Sequence, residues 1–133
     1  MYLFDTDSIT NIFKKDPSKK FIERLKELNY SDQYISTITV SEIVYGALKS
    51  IHPEHHLKNL ETLILSTVQV LSFDTRAAYE YGKIRQNLES TGQIISHTDM
   101  QIASISIVHD LTLITGNIKH FARIKNLKVE NWL

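Results

Sequence analysis

Residues 98–117 read TDMQIASISIVHDLTLITGN, and this stretch decides the fold class. Thr98 and Gln101 are spaced like a capping box, which predicts the start of a helix. The helix is apolar on most sides as far as Val108, a pattern typical of a buried helix. The apolar run Leu111–Ile114 then has the length of a buried strand. A buried helix followed directly by a buried strand indicates an α/β protein.

The same alternation continues through the rest of the chain. Strands are predicted at residues 2–4, 34–38, 68–71 and 128–130, and apolar helical stripes fill the intervals between them. Helix caps are predicted at Ser18, Thr39 and Asp74, and a helix end near Gly92. Strands that alternate with helices predict a three-layer α/β domain, in which a central parallel sheet has helices on both faces. No linker or repeat divides the 133 residues, so residues 1–133 are expected to form a single domain.

The composition is that of a folded globular protein, with 42% hydrophobic and 23% charged residues. The chain has no cysteine, which excludes disulfides and thiolate metal sites. Its first residues include no basic leader, and no apolar run reaches the length of a membrane span. We therefore expect a cytoplasmic protein with no signal peptide and no membrane contact.

The formal net charge is zero, which counts against a broad surface for binding polyanions. Local charge is less even. One basic run begins near Asn117 and has no acid among its members, which are Lys119, Arg123, Lys125 and Lys128. This run is either an ordinary solvated face or a local contact for an anionic partner.

Three carboxylates and one amide stand where strand-like runs give way to helical patterns: Asp5, Glu42, Asp99 and Asn117. In a parallel sheet, all the strand carboxyl ends lie along one edge, where ligands bind. Residues far apart in sequence are then expected to meet there. A group of acids with few basic partners is costly unless a cation joins them. The pattern therefore predicts a divalent-metal site.

Each acid also has a structural interpretation. Glu42 can complete a capping box with Thr39, Asp99 can favour a helix dipole, and Asp7 can be the N-cap of the first helix. Asp5 directly follows its strand and has no evident capping role, which favours a ligand. Carboxylate oxygens suit Mg²⁺ or Mn²⁺, and such a metal can activate water to hydrolyse a phosphodiester. Zinc is less suitable, since no histidine lies at ligand spacing.

Six segments carry a family resemblance. They are LFDTD at 3–7, SEIVYG at 41–46, YGKIR at 81–85 with LESTG at 88–92, TDMQIA at 98–103, LITGNIKHF at 113–121 and VENW at 129–132. In this order they resemble the PIN-domain nucleases, and within them the VapC-type ribonuclease toxins of type II toxin–antitoxin systems. The similarity spans essentially the whole chain.

The resemblance implies a PIN-like fold and an endoribonuclease that depends on Mg²⁺ or Mn²⁺ and cleaves RNA, often tRNA or rRNA. It also implies a homodimer that a cognate VapB-type antitoxin inhibits, with operator DNA bound only through the antitoxin. By position, Asp5, Glu42 and Asp99 match the core acids and metal ligands, and Asn117 matches a fourth catalytic position that is often Asp. A neutral amide there favours one metal over two.

Two departures from the family pattern bear on the site. Asp7 stands where Asn is more frequent, and Gly116 replaces a frequent Arg, for which Lys119 or Arg123 are candidate substitutes. Two other functions stay open: an antitoxin-regulated module that binds RNA without efficient cleavage, and a nuclease specific for structured DNA. The intact set of three acids argues against the first. The absence of extra segments for gripping a duplex argues against the second.

Overall fold

A computed structural model describes all 133 residues. Five parallel strands form one sheet in the order β3-β2-β1-β4-β5. The strands are β1 (Tyr2–Phe4), β2 (Gln33–Ser36), β3 (Gln69–Leu71), β4 (Thr112–Ile114) and β5 (Lys128–Glu130). The predicted three-layer α/β fold is confirmed.

Seven α-helices connect the strands: α1 (Thr6–Ile9), α2 (Lys19–Lys26), α3 (Thr37–Leu48), α4 (Pro53–Asn59), α5 (Thr75–Ser90), α6 (His97–Val108) and α7 (Ile118–Phe121). Short 3-10 turns lie at Thr10–Phe13 and Tyr30–Asp32, and α4 continues into a π-helical segment at Leu60–Ile64. None of the helices has the length and apolar character needed to cross a membrane.

Alternating strand residues supply two separate cores, one on each face of the sheet. Leu3 and Leu113 pack with α5 and α6, whereas the next residues, Phe4 and Ile114, pack with the helices of the first half of the chain. Trp132 closes the second core with its ring 5.7 Å from that of Phe4, edge to face. The alternation follows from the two-residue period of a strand, and it explains why the central strands are apolar on both sides.

The strand order places a crevice between β1 and β4. From β1 the chain builds β2 and β3 on one side of the sheet, and it later adds β4 and β5 on the other. The Asp5 N–H donates to the Ile114 carbonyl at 3.0 Å, so pairing continues one residue beyond β1. Ligands in open parallel sheets bind outside the carboxyl ends of the strands at such a switch point. Asp5 and the segment after Ile114 flank it.

Several helix starts differ from their predicted positions. Ser18 and Asp74 are caps as predicted, but α3 is capped by Ser36, whose Oγ accepts from the Thr39 N–H at 3.1 Å. The predicted strand over residues 34–38 therefore ends at Ser36. Glu42 falls in the second turn of α3, where it has no part in capping, so its capping-box interpretation is wrong. In α6 the cap is likewise Ser96, two residues before the predicted Thr98.

Candidate active site

Asp5 lies at the carboxyl end of β1 and also caps α1. Its Oδ1 accepts from the Ser8 N–H at 2.8 Å, and its side chain is only 7% exposed. The prediction that Asp5 has no capping role is therefore wrong, because the helix begins at the next residue, Thr6. Asp7, the predicted cap, is an exposed residue of the first turn. One carboxylate thus serves as a cap and faces the crevice.

The charge of Asp5 has no cationic partner. Burial raises the pKa of the Asp5 carboxyl above its ordinary value of 3.8, the Thr115 hydroxyl and the Ser8 N–H lower this pKa, and the nearby Asp7 carboxylate raises it. The four ion pairs of the structure all lie elsewhere. A buried carboxylate without a basic partner is stabilised when a cation binds beside it.

Glu42 reaches the same region from α3. Its Oε1 accepts a hydrogen bond of 2.7 Å from the hydroxyl of Thr6, the residue that follows Asp5. The Glu42 side chain is half-buried and belongs to no ion pair. The structure thus joins Glu42 to the turn that Asp5 caps, as the shared sheet edge predicts.

Asn117 follows β4 on the other side of the crevice. Its N–H donates to Thr115 Oγ1 at 3.0 Å, and Thr115 is the residue whose hydroxyl acts on Asp5. The Asn117 amide nitrogen lies 2.7 Å from Nδ1 of His120. Since the amide nitrogen can only donate, His120 accepts through Nδ1, and the amide oxygen of Asn117 remains free.

Asp99 occupies the first turn of α6. This helix leads into β4 through a short turn and runs back along the sheet, which puts its amino terminus on the side of the strand carboxyl ends. The Asp99 N–H donates to the cap Ser96 at 3.2 Å, and its carboxylate is partly exposed. No hydrogen bond joins Asp99 to the other three predicted residues.

The four predicted residues are therefore linked unequally. Thr6, the residue after Asp5, bonds to Glu42, and Thr115, whose hydroxyl lowers the pKa of Asp5, accepts from the backbone N–H of Asn117, whereas Asp99 has no such connection. No three acidic or histidine side chains are close enough to hold a metal ion between them. The donor atoms are nevertheless all oxygen, and the buried carboxylate lacks a basic partner. This donor set fits a hard divalent cation such as Mg²⁺.

Sequence reasoning missed the hydroxyls that connect the site. Thr6 and Thr115 each stand directly beside a strand end, and each bonds to a predicted site residue or to its neighbour. A signal was present, because a Thr two residues before Asn117 can accept from its N–H in a local turn.

The basic run after Asn117 is divided by the fold. Arg123 donates to the carbonyl oxygen of Gln93 at 3.4 Å, and Lys128 pairs with Asp110 at 2.9 Å. Lys119 is exposed on α7, two residues from Asn117, and belongs to no ion pair. It is the member of the run that lies nearest to the site in sequence.

A mostly apolar groove of about 260 Å³ opens beside Glu42. Thr6 and Glu42 line one part of it, Ile43 and Ala47 of α3 form a wall, and His56 of α4 is also part of the lining. The groove thus lies between α1, α3 and α4, with Glu42 on its lining.

The PIN domain family model matches residues 2–127. The chain belongs to the PIN-domain family. It is 36% identical over 134 residues to Ribonuclease VapC2 of Rickettsia felis, a match that covers 99% of this chain and 98% of that protein. It is also 36% identical over 132 residues to the tRNA(fMet)-specific endonuclease VapC of Salmonella typhimurium, covering 99% of both proteins. Within the family the chain therefore belongs to the VapC group, as predicted.

Solved structures agree with this membership. The chain resembles VapBC2 of Rickettsia felis bound to a promoter DNA fragment, with a TM-score of 0.91 and 34% identity over 99% of this chain and 98% of that one. It also resembles DNA-bound VapBC of Salmonella typhimurium, with a TM-score of 0.90 and 36% identity over the same shares of the two chains. The predicted PIN-like fold is confirmed over the whole chain.

Proposed function

We propose that this PIN-domain protein is a toxin that cuts RNA internally by hydrolysis, supported by one divalent cation, Mg²⁺ or alternatively Mn²⁺. The observation that carries the proposal is the state of Asp5. It is buried and has no basic partner, the next residue, Thr6, bonds to Glu42, and Thr115, whose hydroxyl lowers the pKa of Asp5, accepts from the Asn117 N–H. A residue that only caps a helix does not need to be buried without a basic partner beside other site residues.

The residues take distinct roles in this proposal. Asp5, Glu42 and Asp99 supply carboxylate ligands, and Asn117 assists through its free amide oxygen. Asp99 is partly exposed, so its side chain can turn towards Asp5 and Glu42 when a cation arrives. A divalent cation bound there lowers the pKa of water and neutralises charge on the phosphodiester. No side chain needs to act as a nucleophile.

The substrate proposed is a structured RNA, either tRNA or rRNA. The Salmonella typhimurium relative is named for cleavage of tRNA(fMet), which supports tRNA as the first substrate to test. Lys119 is exposed two residues after Asn117, and an exposed ammonium group can contact a phosphate. Single-stranded loops of folded RNA offer bases that a protein can reach, so we expect cleavage in a loop.

The partners proposed follow from the relatives and from the surface. The solved relatives are VapBC complexes with DNA, which supports a VapB-type antitoxin that carries any operator contact. A homodimer is supported by an exposed apolar patch at the end of α3, made of Tyr45, Leu48 and Ile51 with exposures of 65%, 62% and 90%. We place the protein in the cytoplasm, with its RNA substrate.

The test is cleavage of purified tRNA and rRNA in Mg²⁺, in Mn²⁺ and in EDTA. Asp5→Asn keeps a capping oxygen and removes the charge. Asp99→Asn removes the charge of a first-turn residue of α6, whose cap is Ser96. Each is expected to reduce cleavage by more than about 100-fold, which exceeds the usual cost of losing an outer hydrogen bond. Asp7→Asn is the matched control, because it removes an exposed acid two residues from Asp5 and should leave activity nearly unchanged.

Three other outcomes would contradict the proposed function or favour one of its alternatives. Cleavage that survives in EDTA, or in both site variants, would contradict the proposed mechanism. Tight retention of RNA without products would favour the binding module, and cutting of structured DNA in place of RNA would favour a DNA nuclease.

A further inference from the structure

Three hydroxyl groups form a chain that ends at Glu42. Ser36 Oγ lies 3.5 Å from Thr39 Oγ1, Thr39 Oγ1 lies 3.1 Å from Thr6 Oγ1, and Thr6 Oγ1 lies 2.7 Å from Glu42 Oε1. Ser36 and Thr39 are completely buried, and Thr6 is half-buried beside the groove. We call these three residues the hydroxyl chain. Ser36 caps α3, and Thr6 begins α1, so the chain connects the two helices.

The direction of the hydrogen bonds follows from the number of protons. A hydroxyl has one proton to donate, and an ionised carboxylate can only accept. The distance of 2.7 Å suits a hydroxyl that donates to a charged oxygen. The Thr6 hydroxyl has two acceptors within reach, Glu42 Oε1 and Thr39 Oγ1, and its one proton goes to the nearer, charged oxygen of Glu42. Ser36 Oγ accepts from the Thr39 N–H at 3.1 Å and can direct its own proton to Thr39 Oγ1.

The hydroxyl chain holds Glu42 without neutralising it. A glutamate has three rotatable side-chain bonds, and a half-exposed one samples several rotamers unless something fixes it. Lys or Arg would fix the carboxylate but would also compete with a cation for its charge. A threonine hydroxyl is a neutral donor, so Glu42 keeps its full negative charge. Glu42 Oε2 has no hydrogen-bond partner in the structure, which leaves this oxygen available.

We propose that Thr6 is a positioning residue, which commits Oε1 of Glu42 to the hydroxyl chain and presents Oε2 as the single oxygen that binds the divalent cation. The inference rests on the proposed function, since it takes Glu42 as a ligand. Thr6 also follows Asp5 directly, so the same bond connects the turn that Asp5 caps to α3. The Asp5 turn and α3 then form one preorganised unit.

The test compares Thr6→Val, which keeps the shape and removes the hydroxyl, with Thr6→Ser, which keeps the hydroxyl. Mn²⁺ affinity is measured by calorimetry on the full chain, and cleavage is measured over a range of Mn²⁺ concentrations. We expect Thr6→Val to weaken Mn²⁺ binding by about 10- to 100-fold, as loss of a ligand's hydrogen-bond partner usually does. Thr6→Ser should bind Mn²⁺ nearly as tightly as the wild type.

The metal dependence separates positioning from a merely structural role. If Thr6 acts through cation affinity, excess Mn²⁺ should restore much of the activity of Thr6→Val. Thr39→Val, one step back along the hydroxyl chain, should show a smaller loss in the same direction. Thermal unfolding in EDTA checks that each variant is folded, and Thr6→Ala replaces the valine variant if that one does not fold.

Wild-type Mn²⁺ affinity in Thr6→Val would overturn the inference. So would an equal loss in Thr6→Ser, because the hydroxyl would then not be the group that matters. A wild-type protein that neither binds Mn²⁺ nor cuts RNA would instead defeat the proposed function, and the inference with it. The two failures are therefore distinguishable by the behaviour of the wild type alone.

Discussion

Asp5 shows how one residue can lower the stability of the protein that it helps to organise. Burial raises the pKa of its carboxyl above 3.8, so the folded chain keeps the Asp5 proton at pH values where the unfolded chain has lost it. Stability is therefore lost as the pH rises from 3.8 through the raised pKa. We expect Asp5→Asn to raise the free energy of unfolding of the metal-free protein at pH 7, as measured by thermal denaturation in EDTA. The difference from the wild type should vanish below pH 3.8.

Adding Mn²⁺ should make the wild type more stable than Asp5→Asn. A cation that binds only the folded state stabilises it in proportion to the logarithm of its concentration above the Kd. The wild type should gain stability with Mn²⁺, whereas Asp5→Asn should gain little. Asp7→Asn, an exposed neighbour, should follow the wild type in both conditions. An Asp5→Asn variant less stable than the wild type in EDTA would mean that the charge is compensated in solution.

The sequence predicted the part of the candidate site that consists of acidic and amide residues at strand ends. Asp5, Glu42 and Asn117 stand at predicted junctions, and hydroxyls of neighbouring threonines bond to the Glu42 side chain and the Asn117 N–H. The linking hydroxyls of Thr6 and Thr115 were not predictable in the same way, because threonine is common and its hydroxyl finds many partners. The capping role of Asp5 was missed because α1 begins two residues earlier than a cap at Asp7 implies, and helix ends are uncertain by one or two residues.

Among the helices, α5 offers two glycines for which the same substitution has opposite effects. Gly92 has a φ of +67° and follows the C-cap, while the Gln93 N–H donates to the Leu88 carbonyl at 2.8 Å. This is a Schellman ending, which favours glycine. Gly92→Ala should therefore cost about 1 kcal/mol of stability. Gly82 lies inside the helix with open space around its Cβ position, so Gly82→Ala should add about 0.5–1 kcal/mol.

Urea denaturation of the two alanine variants measures both effects. Neither residue touches the candidate site, so Mn²⁺ affinity should stay at the wild-type value in both. Equal shifts in the same direction would contradict this account of the end of α5.

The helices and strands themselves were mostly predictable, and their boundaries less so. Apolar spacing located every strand and most helices, because burial on a sheet or against a neighbour requires it. The π-helical turns of Leu60–Ile64 were not predictable, and Leu63 within them is 49% exposed although its spacing indicates a buried stripe. A π segment rotates the side chains that follow away from α-helical positions.

For the whole molecule, the strand alternation predicted a parallel sheet but not the order of its strands. The order depends on which side of β1 each crossover passes, and no local pattern carries that information. The residues of β3 and β5 do indicate that these are the edge strands of the sheet. Lys128 and Glu130 are exposed on β5, and Val70 is 42% exposed on β3, as expected for edge strands. Because β1 and β4 are neighbours at the centre of the sheet, Asp5 and Asn117, which follow these strands, can contribute to one site.

The apolar patch of Tyr45, Leu48 and Ile51 gives a prediction for the assembled molecule. An exposed group of large apolar side chains near one helix end indicates a protein interface, because burying them between two copies removes apolar area from water. We expect Leu48→Glu to raise the dissociation constant of the homodimer by at least about tenfold, because a charge would be buried at the interface. Sedimentation analysis over a concentration series measures this constant.

Ile94→Glu is the matched control, since Ile94 is 48% exposed in the loop between α5 and α6, which pack on the other face of the sheet. A wild-type chain that remains monomeric, or a Leu48→Glu variant that associates like the wild type, would rule out this patch as the homodimer interface.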